Sequence, residues 1–107
     1  MARFDLYNNP SAKSKGKSPY LLDVQSDHLG SLMSRVVIPL TLVSGNYTPS
    51  KVAQDLAPLI EIGGEKFLLE TPFLGAIRTS ELGVAIGSLK AEQGRIVAAL
   101  DRLFGAY

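Results

Sequence analysis

A chain of 107 residues can bury one core but not two, so residues 1–107 are expected to form a single domain. Its composition is 46% hydrophobic and 20% charged, and 11 basic against 10 acidic residues leave a formal net charge of +1, which excludes binding to nucleic acid or a membrane through bulk charge alone. Without cysteine there are no disulfides and no thiolate metal sites. With no apolar run of signal-peptide or membrane-spanning length either, a cytoplasmic protein is expected.

Arg3 to Tyr7 alternates polar and apolar residues, the period-two pattern of a half-buried strand. Asn8 to Ser18 then changes to Asn, Pro, Ser, Lys and Gly, a long loop of a hairpin. Its Lys13, Lys15 and Lys17 suit a solvated loop better than a dedicated acidic partner. Tyr20 to Gln25 reads as the second strand. Arg35 to Val43 is too densely apolar for a sheet face that meets water, so it is expected to be central, with Pro39 forcing a bulge or an unpaired position. Gly45 to Pro49 is a turn and Lys51 to Ala57 a short helical or irregular piece before Pro58. Leu59–Ile62 and Lys66–Glu70 flank Gly63, Gly64 and Glu65, a hairpin signal, and Ala76–Arg78 is a candidate edge strand.

From Ser88 to Tyr107 the pattern becomes helical. Ile96, Val97, Leu100, Leu103 and Phe104 fall along one face, Ser88 is placed to cap the start, and Gly105 to close the end. Gly94 is the awkward residue, expected either to be offset by packing or to permit close approach of another backbone. The fold class is therefore mainly β with a C-terminal α-helix, a small curved sheet or partly open barrel with the helix packed on it.

No catalytic set stands out. His28 is the only histidine and reads as a surface residue, the serines occur in no Gly-x-Ser-x-Gly motif, and Gly63-Gly64 lacks the lysine of a phosphate loop. Asp23, Asp27 and His28 could form an acid–base group, but spacing alone favours a loop or an interface. No metal and no cofactor is expected. Such a chain, ending in an amphipathic helix with aromatic residues, fits a protein that acts by binding another protein.

Asp23-Val24-Gln25-Ser26-Asp27, then Arg35-Val36-Val37-Ile38-Pro39-Leu40, then Pro58 with Ile62-Gly63 and Glu65, resemble the CcdB family of plasmid and chromosomal toxins, in order and spacing over essentially the whole chain. The resemblance implies a homodimer of SH3-like antiparallel barrels with a long C-terminal helix, an architecture that the MazF ribonuclease toxins share. It implies no catalysis: such toxins bind the A subunit of DNA gyrase and trap the enzyme on cleaved DNA. A CcdA-like antitoxin releases the gyrase and carries the toxin to operator DNA, which the toxin meets only indirectly. On this resemblance the gyrase-binding residues are Asp101, Phe104, Gly105, Ala106, Tyr107, His28 and Leu29, and the dimer interface is Val24, Gln25, Ser26, Asp27, Val97 and Leu100. Two departures stand out. His28 replaces the first of two family isoleucines, and Gly105-Ala106-Tyr107 stands where the best-known member ends in Trp-Gly-Ile, leaving Tyr107 as a candidate substitute. The rival readings are a ribonuclease toxin using Arg35 with Asp27 or Thr71, and a relative that keeps the fold and only binds antitoxin.

Overall fold

The computed structural model describes residues 1–43 and 51–105, with the backbone alone for residues 51–53; the turn expected at Gly45–Pro49, Ala106 and Tyr107 lie outside the described residues. Along the chain come β1 (Asp5–Asn8), β2 (Tyr20–Asp23), β3 (Ser34–Leu42), α1 (Lys51–Leu56), β4 (Leu59–Ile62), β5 (Glu65–Leu69), β6 (Gly75–Arg78), β7 (Gly87–Ser88) and α2 (Gln93–Phe104). The strands form one curled antiparallel sheet in the order β4-β5-β3-β2-β1-β7, with β6 also paired to β3. With α2 packed on it, this half-barrel is the small β fold with a C-terminal helix expected from the pattern.

β3 is central because both of its faces are covered. Val36, Ile38 and Leu40 point towards α2 and join Leu6, Leu22, Ile60, Phe67, Leu69 and Ile96 in the main core. Val37 points the other way, into a smaller cluster with Tyr7, Leu21 and Leu82. Each fully buried Leu or Ile contributes roughly 1.5–3 kcal/mol relative to exposure, so the two layers together hold the sheet. The same double covering explains β1, where Leu6 and Tyr7, neighbours on opposite faces, are both buried.

Pro39 breaks nothing. It stands opposite Leu21 of β2, a position whose backbone groups point to the far side of β3, and on that side its carbonyl accepts from Glu70 N at 3.0 Å. β6 pairs with β3 only as far as Val37 and β5 only from Leu40, so the missing N–H falls in the gap between them. Of the two outcomes expected for this residue the structure takes the unpaired position, and the register with β2 runs on uninterrupted.

Two further turns follow from local chemistry. Gly63 and Gly64 both have positive φ, 60° and 83°, and connect Ile62 to Glu65 as a two-residue hairpin, so Glu65 belongs to the strand rather than to the turn. β7, which carries no sequence signal of its own, has two residues and pairs with Asp5 and Leu6.

α2 starts later than Ser88. Ser88 Oγ accepts from Lys90 N at 3.2 Å and so caps a single 3₁₀ turn, Lys90–Glu92, from which α2 continues. Gly105 closes it in the left-handed conformation, φ 70°, ψ 34°, with its N–H donating to Asp101 O. The apolar stripe divides along its length: Ile96 and Ala99 are fully buried, Val97, Leu100 and Leu103 are half-buried, and Phe104 is 68% exposed. From the outer face, Arg95 pairs with Glu92 at 3.0 Å and donates from Nη2 to Leu59 O at 2.6 Å.

Gly94 has no packing partner: a Cβ built on it would meet nothing within 4 Å. It allows no close approach, and its cost is purely conformational. Gly94→Ala is therefore expected to raise stability by about 0.5–1 kcal/mol, seen as a higher urea midpoint with an unchanged slope. An unchanged or lower midpoint would show that a left-handed or frayed first turn needs the glycine.

Candidate binding surface

The stretch after β2 is built by reciprocal hydrogen bonds. Ser26 Oγ accepts from His28 N at 3.2 Å, and Leu29 N donates to Ser26 O at 3.0 Å, which winds Asp27–Leu29 into one 3₁₀ turn. Asp27 Oδ1 accepts from Arg3 N at 2.8 Å, tying the turn to the start of the chain. Gln25 is the strut. Its Nε2 donates to Leu29 O at 3.1 Å while its Oε1 accepts from Val36 N at 3.0 Å, so one buried amide joins the turn to β3.

Beneath Gln25 lies a buried ion pair. Arg35 donates from Nε and Nη2 to the two carboxylate oxygens of Asp23 at 2.7 and 3.0 Å, and both side chains are fully buried. Asp23 Oδ1 also accepts from Gln25 N at 3.0 Å. This pair shares the sheet face of Tyr7, whose hydroxyl is pushed above its ordinary 10.0 by burial first, then by the carboxylates of Asp5 and Asp23, against the opposing pull of Arg35.

The 3₁₀ turn and the end of α2 enclose an apolar groove of about 430 Å³. Val24, Gln25, Ser26 and Leu29 line it from the turn, Leu100 and Phe104 from the helix, and Arg3, Val36 and Leu74 complete it. Arg3 is held there by its Nε bond to Val24 O at 3.0 Å, with its guanidinium 4.9 Å from the Phe4 ring. Arg3, Val36 and Leu74 were not singled out in the sequence, since only the curl of the sheet brings residues so far apart in the chain to one place.

The residues named from the sequence thus divide. Six of them share the groove. Asp27 and His28 are exposed on the turn outside it, Val97 packs half-buried on the core, and half-buried Asp101 contributes its carbonyl to the Gly105 cap. Val24 and Gln25 are buried within the protomer itself, 6% and 7% exposed, so they shape the groove wall more than they offer surface. Ala106 and Tyr107 lie outside the described residues.

The family model described as "CcdB protein" matches residues 3–105. The chain belongs to the CcdB family. It is accordingly the toxin type of a toxin–antitoxin system, and the CcdB fold explains why the groove and the helix end lie side by side. The acid–base readings fit this site poorly. Arg35 is fully buried and engaged by Asp23, Thr71 is fully buried, and Asp23 is sequestered from His28, so Asp27 and His28 are the only members of those sets that meet solvent. No helix among the described residues is long and apolar enough to cross a membrane.

Proposed function

We propose that this chain is a gyrase-directed toxin: as a homodimer it binds the A subunit of DNA gyrase and traps the enzyme on cleaved DNA. A CcdA-like antitoxin neutralises it and carries it to the operator, so contact with that DNA is indirect. The observation that supports this reading is the exposed Phe104 ring beside Leu29 on one apolar groove, an arrangement suited to a protein surface and lacking an accessible catalytic set. Family membership supplies the choice of gyrase over other proteins. A second copy of the chain is placed over the half-buried Val97 and Leu100, apolar surface that one small half-barrel leaves partly uncovered.

Purified protein mixed with gyrase, ATP and supercoiled plasmid should give linear DNA that requires gyrase, and light scattering should give twice the 11.5 kDa chain mass. Phe104→Ala should leave the mass unchanged and weaken binding to a fragment of the gyrase A chain at least thirtyfold, about 2 kcal/mol or more. Plasmid left supercoiled, together with RNA cleaved in the absence of gyrase, would replace this reading with the ribonuclease one.

A further inference from the structure

The segment between Asp27 and Arg35, His28-Leu29-Gly30-Ser31-Leu32-Met33-Ser34, contains no Asp, Glu, Lys or Arg. It nevertheless displays three large apolar side chains to solvent: Leu29 at 48%, Leu32 at 49% and Met33 at 84% exposure. Burying such side chains is ordinarily favourable, and exposed ones normally occur singly rather than in a run.

The backbone that carries them is held at both ends. On one side Gln25 Nε2 fixes Leu29 O, Gly30 N donates to Asp27 O and Leu32 N donates to Leu29 O. On the other, Met33 O accepts from both Thr79 N at 2.9 Å and Thr79 Oγ1 at 3.2 Å. Apolar groups on a pinned backbone lose little further entropy on binding, which is what distinguishes a preformed anchor from a loose loop.

Leu29 also lines the groove that holds Phe104, so the run continues that groove outward along the turn. Resting on the gyrase reading above, we infer that Leu32 and Met33 are affinity-determining contacts to the gyrase A chain, extending the grip of Phe104 onto an uncharged apolar patch of the target. The flexible thioether of Met33 suits it to fit an irregular apolar surface. On this account the grip is spread over the turn and the helix end instead of resting on one terminal aromatic residue.

The test uses the full chain and a fragment of the gyrase A chain in calorimetry, with Met33→Gln, Leu32→Gln and the conservative Met33→Leu. Both glutamine variants should bind at least tenfold more weakly than the parent, Met33→Leu should bind within about threefold of it, and melting temperature and mass should not change. If the parent binds and the glutamine variants bind equally well, the inference fails and the gyrase reading stands. A change of mass in Met33→Gln would also overturn it, by assigning the run to self-association. If the parent does not bind the fragment at all, the gyrase reading fails and takes this inference with it.

Discussion

Arg35→Met is expected to lower the free energy of unfolding by about 3–5 kcal/mol, because it strands the Asp23 carboxylate in a fully buried position without its counter-charge. The loss should exceed that of a plain hydrogen bond, since Asp23 accepts from Arg35 on both oxygens and has no route to water. The double variant Asp23→Leu/Arg35→Met should recover a large part of it, because an apolar pair avoids the desolvation of two charges. Urea unfolding of the two single variants and the double variant closes the cycle. A double variant as unstable as Arg35→Met alone would show that Arg35 matters through its 3.4 Å contact with Gln25 O, or through packing, and not through the ion pair. Whatever remains lost should appear at the turn, since Asp23 also fixes Gln25 N and Gln25 holds Leu29.

Ile96→Ala should cost about 2–5 kcal/mol, the usual range for emptying a fully buried aliphatic site. Ile96 is the point at which α2 enters the core formed by Leu22, Ile38, Phe67 and Leu69, and its neighbour on the buried stripe, Ala99, is too small to fill a void. Phe104, further along the same helix, should behave in the opposite way, with little stability lost on truncation because most of the ring already meets water. Thermal melts of the two alanine variants test the contrast. Equal losses would mean that the helix is docked along its whole length and that the ring is not free surface.

That contrast also shows what periodicity conveys. The spacing of Ile96, Val97, Leu100, Leu103 and Phe104 identified the helix and its inward face, yet carried no sign that the stripe runs off the end of the sheet before Phe104. Where the helix stops being covered depends on the length and curl of the strands beneath it, which is a tertiary property. The central strand, the Gly63-Gly64 hairpin and the Gly105 exit were legible because each rests on a local rule: dense apolar content, positive φ, helix closure. The two-residue β7 was not, because a pair of residues carries no period. Most opaque was Arg35. A charged residue beside an apolar run looks available for chemistry, and nothing in residue type or spacing says that the partner lies 12 positions earlier across a β2–β3 ladder. The groove was half legible: its two sides came from motifs in the chain, while Arg3, Val36 and Leu74 arrive from elsewhere.

The bond from Arg95 to Leu59 O matters for what the protein avoids. β4 ends the sheet, and Leu59 is a residue whose backbone groups face outward from its pairing with β5, an open invitation to another strand. A guanidinium already seated on that carbonyl makes any incoming strand displace a charged group that Glu92 also holds. Edge-to-edge growth into fibres is thereby disfavoured at this end, and a second molecule is left to approach through side-chain surface, where its orientation is selected by shape.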